Sequence, residues 1–414
     1  MDRLRSQYSI KVFTSNPPLG LYIHLPWCEK KCPYCDFNSH EIDVIPENEY
    51  VDALLNDLAQ DLPLIWGRTI ETIFIGGGTP SLFSGDAIER LFSGLRALLN
   101  FGPNIEITME SNPGSADQEN FRAYRESGVN RLSIGVQSFN DHHLKLLGRV
   151  HDSDLAHQAF EAARNAGFNN INLDLMYGLP SQTLEQAQAD LRTAISLKVE
   201  HISHYQLTIE PNTLFQHKPP KQMPDDDLAW DQQDSCQTLL AEHGYVQYEI
   251  SAYSRDNKAC QHNLNYWQFG DYLGIGAGAH GKITLAGEDR VIRRIKQRQP
   301  KAYLKTQGNQ AILSEANLSE ADLIFEFMLN TLRLTDGFES KLFADNTGLS
   351  LNFILPIMNK AKELGLLGYN SKRIYPTKKG LQYLNNLQSL FLDPTINKNQ
   401  LLFDSNIEII HRPK

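Results

Sequence analysis

The stretch LYIHLPWCEKKCPYCDF, residues 21–37, joins a short apolar run directly to three cysteines in a C-x3-C-x2-C spacing, Cys28, Cys32 and Cys35. An apolar, β-rich pentapeptide followed at once by such a loop reads as a strand that delivers thiols to one end of a sheet. The chain has 5 cysteines, and the other two, Cys236 and Cys260, stand alone, so this is no secreted disulfide framework. Three thiols this close in a reducing compartment point to a soft metal. Structural iron–sulfur clusters take four Cys ligands. With only three, one iron of a 4Fe-4S cube is left for a small molecule. The same spacing also admits a zinc site completed by His24 or His40, or plain reduced thiols. Cys236 reads as an ordinary buried thiol and Cys260 as a loop thiol.

Outward from this loop the pattern repeats. LYIHL, TIFIGG, IEITME, RLSIGV, INLDLMYG and HISHYQL are strand candidates between residues 19 and 207. Amphipathic stretches such as EYVDALLNDLAQDL, AIERLFSGLRALLN, DLAHQAFEAARNAGF and TLEQAQADLRTAISL lie between them, with apolar residues recurring at three and four positions. Alternating β and α implies parallel strands. Six such units predict an α/β fold, a partial (β/α)6 barrel, with reactive groups at the carboxyl ends of the strands. The expected division is a segment at 1–18, the barrel at 19–210, an extension at 211–310 that lengthens the barrel or covers its mouth, and a mainly helical C-terminal domain with a hairpin or wing at 311–414.

Composition narrows the function. With 414 residues the chain can bury a large core. Its formal charge of −10, with no basic run, disfavours binding to a nucleic-acid backbone. No run of about 18 apolar residues occurs, so no transmembrane segment is expected, and the opening MDRLRSQYSIKVFTSN lacks the apolar core of a secretion signal. The sequence reads as that of a cytoplasmic protein.

The second strand candidate ends in IFIGGGTP, where Gly76, Gly77 and Gly78 let backbone approach a ligand, with peptide groups expected free to bond an ammonium or carboxylate. Glu110 closes the third strand, Gln137 the fourth, and Asp174 sits on the fifth. Buried carboxylates without partners are costly, and several arriving at one barrel end suit a ligand with hydroxyls, an ammonium or a base. Each alone is equally well read as a satisfied core group. Arg149, after a short helix, reads more simply as solvated.

With these residues in place, the chain resembles the radical S-adenosylmethionine superfamily, in which C-x3-C-x2-C with an aromatic before the last Cys, here Tyr34, binds a 4Fe-4S cluster. The resemblance narrows to the HemN-like family of anaerobic coproporphyrinogen oxidases through LYIHLPWCEKKCPYCDFNSH, IFIGGGTPS, ESNPG, RLSIGVQSFN, LGRVH and NLDLMYGLP. It implies a radical-SAM barrel in which Tyr22, Gly77, Gly78, Thr79, Glu110, Gln137, Arg149 and Asp174 line the S-adenosylmethionine region. It also implies an electron donor for the cluster.

Two departures set the chain apart from the oxidase. That enzyme carries a further Cys two residues after the triad, where this chain has Phe37, and a long N-terminal arm for which the 21 residues before Tyr22 are too few. Both match the HemW branch, whose members are identified as haem chaperones that pass haem to acceptor proteins. HNLNYW, residues 262–267, matches that branch's HNxxYW string and implies His262 as a haem ligand, with Tyr266 and Trp267 stacking on the porphyrin. Cys260 is an alternative ligand. Read without the family, His262 is a hydrogen-bonded histidine, and His142, His143 and His280 carry no signal. The competing function is oxygen-independent coproporphyrinogen III oxidation.

Overall fold

The computed structural model describes residues 12–306 and 308–392. The expected segment at 1–18 and domain at 311–414 therefore fall partly outside the described residues. Six parallel strands follow the expected order: β1 (Leu19–Leu25), β2 (Thr69–Gly77), β3 (Asn100–Ser111), β4 (Arg131–Gln137), β5 (Ile171–Tyr177) and β6 (His201–Gln206). Each pairs with the next in parallel register. The helices between them are α1 (Glu47–Asp61), α2 (Gly85–Leu98), α3 (Ser115–Ser127), α4 (Ser153–Asn165) and α5 (Leu184–Ser196). The β4 strand is buried at every position and β1 at all but Tyr22, as expected of parallel strands covered on both faces. Local signals start the helices. Ser84 caps α2 by accepting from the Ala87 N–H, and Thr183 with Gln186 forms a capping box on α5.

The extension does not simply follow β6. The sheet grows at both edges. Beyond β6 lie the antiparallel β7 (Val246–Glu249) and β8 (Ala252–Ser254). Beyond β1 lies a seventh parallel strand, β9 (Asp271–Ile275), then antiparallel β10 (His280–Leu285), β11 (Arg290–Lys296) and β12 (Ile312–Asn317). The resulting order is β12-β11-β10-β9-β1-β2-β3-β4-β5-β6-β8-β7, and the two ends do not pair. The barrel is partial.

A buried charge cluster fastens this added edge. Asp57 and Asp61 on α1 meet Lys296 of β11 at 2.5 and 2.8 Å, Arg294 reaches Asp61 at 2.6 Å, and the Tyr303 hydroxyl donates to Asp57 at 2.8 Å. Breaking one partner of such a set leaves a charge buried and uncompensated.

The main apolar core fills the space between the sheet and helices α1 to α5. A second core gathers the helix Glu320–Thr331, three further helices and the three-stranded sheet of Phe338–Glu339, Leu367–Tyr369 and Arg373–Pro376. Leu323 and Phe327 lie in it as core residues, and Leu334 is also buried.

Candidate functional site

The carboxyl ends of β1 to β6 converge on one cavity of about 440 Å³. The cysteine loop forms its lid. Two short parallel segments, Trp27–Cys28 and His40–Glu41, pair across the loop and close it. Strand β2 ties it down from the other side, because the Gly78 N–H donates to Leu25 O at 2.8 Å and the Thr79 N–H to Trp27 O at 2.7 Å. These contacts explain the glycines. A Cβ on Gly78 would lie 2.4 Å from Trp27 O, and one on Gly77, whose φ is +120°, would lie 2.6 Å from the His24 ring.

The expectation of free peptide groups in this turn is therefore corrected. The Gly77 N–H bonds Glu110 Oε2 at 3.1 Å, and the next two N–H groups hold the cysteine loop. Any contact from these three peptides to a ligand is through carbonyl oxygens, which suit an ammonium and not a carboxylate.

Cys28, Cys32 and Cys35 all line the cavity, with Tyr34, Gly77, Gly78, Thr79, Glu110, Gln137, Arg149 and Asp174. Burial pushes the Cys28 and Cys35 thiols up, against the free thiolate. Arg149 is not solvated. Its guanidinium reaches Cys32 Sγ at 3.5 Å, Asn112 Oδ1 at 2.8 Å and Gly135 O at 2.7 Å, while its buried Nε has no hydrogen-bond partner among the described residues. An iron–sulfur cluster, whose sulfide and thiolate sulfurs carry negative charge and accept hydrogen bonds, fits these donors. Among the described residues no three His, Cys, Asp or Glu side chains converge on a single ion. A zinc ion needs such convergence, whereas the cysteines of a cube each take a different iron. His24 is also unsuited to complete a zinc site, since its ring nitrogens lie 2.9 Å from Tyr22 Oη and 2.9 Å from Asn38 O.

Glu110 and Asp174 face the same interior. Burial first, and the Asp174 charge second, push the Glu110 carboxyl up to about 7. Burial also raises Asp174, although Asn172 at 2.8 Å and Ser133 at 3.2 Å donate to it. Two buried carboxylates in one cavity call for a cation between them. Gln137 adopts φ +69° at a bulge that ends β4, and its Oε1 accepts from Tyr205 Oη at 2.7 Å. Two further residues belong to the site without a signal of their own in the sequence: Asn112 of ESNPG, which bridges Arg149 to Thr79, and Tyr205 of HISHYQL.

Tyr22 and His262 stand apart from this group. Tyr22 lines an adjoining cavity of about 810 Å³ that shares Cys35, Gly77 and Glu110 with the first. His262 lies on α6 (Gln261–Trp267), completely buried against β2, with Nδ1 2.9 Å from Thr72 Oγ1 and Nε2 2.8 Å from Tyr266 Oη. Burial lowers its pKa to about 3, so the ring is neutral. Its helix neighbours Asn263 and Trp267 line the first cavity instead. Cys260 is no loop thiol facing a ligand. It is buried at the start of α6, with Sγ 3.5 Å from Glu106 Oε1.

The chain is similar to known proteins over most of its length. The family model of the radical SAM superfamily matches residues 22–194, and that of the HemN C-terminal domain matches residues 318–383. The heme chaperone HemW of Escherichia coli (strain K12) is 48% identical over 377 residues, covering 91% of this chain and 98% of that protein. The heme chaperone HemW of Bacillus subtilis (strain 168) is 35% identical over 378 residues, covering 90% and 98%. The solved structure of coproporphyrinogen III oxidase (HemN) from Escherichia coli, a radical SAM enzyme, aligns with a TM-score of 0.77 at 26% identity, covering 91% of this chain and 90% of that one. Among the described residues no helix is long and apolar enough to cross a membrane.

Proposed function

This chain belongs to the HemW family within the radical SAM superfamily, and from that premise we propose that it is a cytoplasmic haem chaperone that binds haem and passes it to acceptor proteins. Cys28, Cys32 and Cys35 hold a 4Fe-4S cluster. S-adenosylmethionine binds beside it, and when bound the pair supplies one-electron chemistry at a sulfonium. The rest of the site is this chain's own work. Arg149 donates to the Cys32 sulfur, Glu110 and Asp174 neutralise the ligand's positive charge, and Gln137 is held in place by Tyr205. Residues 19–210 provide this cofactor barrel, the segment from 211 through β12 its extension, and the residues that follow β12 the C-terminal module. An electron donor serves the cluster.

The observation that carries this reading is end-to-end similarity to heme chaperones, at far higher identity than to the oxidase whose fold the chain shares. Phe37 supports it. The position where the oxidase pattern has a further cysteine is filled by a ring that is 58% exposed.

The test is transfer. Protein with its cluster reconstituted without air is loaded with haemin and mixed with an apo-form haem acceptor. Stoichiometric loading followed by movement of the Soret signal to the acceptor is expected. Failure to bind haemin would reject the reading.

A further inference from the structure

We propose that haem seats in the second cavity, with His280 as its axial iron ligand. The proposal deepens the haem-chaperone reading and rests on it.

This cavity, about 810 Å³, lies between the cysteine loop and the added sheet edge of β9 and β10, within the size range of roughly 300–1,000 Å³ usual for cofactor-sized ligands. Three histidines line it: His24, His40 and His280. Both ring nitrogens of His24 are hydrogen-bonded, and His40 Nε2 lies 3.3 Å from Asn38 Oδ1. His280, at the start of β10, is exposed, and neither of its ring nitrogens is hydrogen-bonded to another described residue. An imidazole ligand binds iron through a ring nitrogen lone pair. His280 can offer one without breaking an existing contact, whereas His262 has to release Thr72 or Tyr266 first.

The rest of the lining matches a porphyrin. Tyr266 and Tyr272 stand edge to face with centroids 4.5 Å apart, and Phe37 projects from the cysteine loop on the same cavity. Flat rings of this kind cover a porphyrin face. Arg298 and Lys31 bring positive charge to the lining for the two propionates, against Asp36 and Glu110 as its acidic groups. Partial desolvation of the ring first, and then the charges of Arg298 and Arg293, lower the His280 pKa, which favours the neutral form that ligation needs. Binding forms one nitrogen–iron bond, displaces a water or chloride from ferric haem and transfers no electron. The HNxxYW string thereby acquires a positioning role. His262 holds Tyr266 by its hydroxyl, and Tyr266 forms part of the haem wall.

The experiment is an anaerobic haemin titration of the full chain with its cluster reconstituted, followed by absorbance and electron paramagnetic resonance. Wild type is compared with His280→Ala, His262→Ala and Arg298→Glu, and iron content and thermal midpoint serve as folding controls. In His280→Ala the imidazole-ligated signature is expected to disappear, affinity to fall on the order of tenfold or more, and added imidazole to restore the signature. His262→Ala is expected to keep the imidazole signature but to bind haemin more weakly, because Tyr266 loses its hold, and Arg298→Glu to weaken binding several-fold. Retention of the imidazole signature in His280→Ala overturns the assignment while leaving the haem reading intact. A wild type that takes up no haemin overturns the haem reading itself.

Discussion

The Arg149 guanidinium lies 3.5 Å from the sulfur of Cys32, although 117 residues separate the two in sequence. The contact spans the mouth of the barrel, from the loop after β1 to the segment after β4, and makes the cysteine loop dependent on a distant strand. Hydrogen bonds to charged groups contribute about 1.5–3 kcal/mol. Arg149→Ala is therefore expected to lose iron to a chelator on the order of tenfold faster than wild type, with Arg149→Lys intermediate. Equal rates for all three proteins would contradict this role.

Gly78 is the second tie to the loop. Its missing Cβ leaves room for Trp27 O, which a methyl group would approach to 2.4 Å. Gly78→Ala is expected to fold, since strand β2 ends one residue earlier, yet to assemble little cluster after reconstitution. Acid-labile sulfide measures this, and a full complement in the variant would show that the loop tolerates displacement.

Glu110 sets a pH dependence. Its carboxyl is raised by burial and by Asp174 to about 7, above its ordinary value of 4.5. Between these values the folded state holds a proton that the unfolded chain has lost. Stability from this group is present below about pH 4.5 and is lost as pH rises through 7, by on the order of 3 kcal/mol. Ligand-free Glu110→Gln is thus expected to melt higher than wild type at pH 8 and to match it near pH 5, while binding S-adenosylmethionine more weakly. A variant with wild-type melting at pH 8 would show that the carboxylate is already compensated in the protein.

His262 shows the reverse sign. Burial lowers its pKa to about 3, so its contribution is complete above its ordinary value of 6.5 and declines as pH falls towards 3. His262→Ala also strands the Thr72 and Tyr266 hydroxyls, at about 1–3 kcal/mol for each unpaired group. A lower thermal midpoint at pH 8 is expected. An unchanged midpoint would mean that water replaces the ring.

Much of this was legible in the chain. The six parallel strands and the cysteine loop follow from apolar runs and spacing, because parallel strands buried on both faces leave a strong local signal. The cavity that collects Glu110, Gln137 and Asp174 follows from their common position at strand ends. The seventh parallel strand is not separable in the sequence, since it runs into the glycine-rich stretch Tyr272 to Gly281, which carries no clear period. The fate of the glycine-turn N–H groups, the capture of Arg149 by Cys32 and the saturation of His262 depend on partners tens to hundreds of residues away. No local pattern reports such contacts, and His280 went unmarked for the same reason.

The most direct test of the central claim is an anaerobic assay of the reduced, cluster-loaded protein with S-adenosylmethionine and coproporphyrinogen III, run beside a haemin titration. Coproporphyrinogen is expected to be recovered unchanged while haemin is bound stoichiometrically. Decarboxylation to protoporphyrinogen over many turnovers, without haemin uptake, would contradict the account.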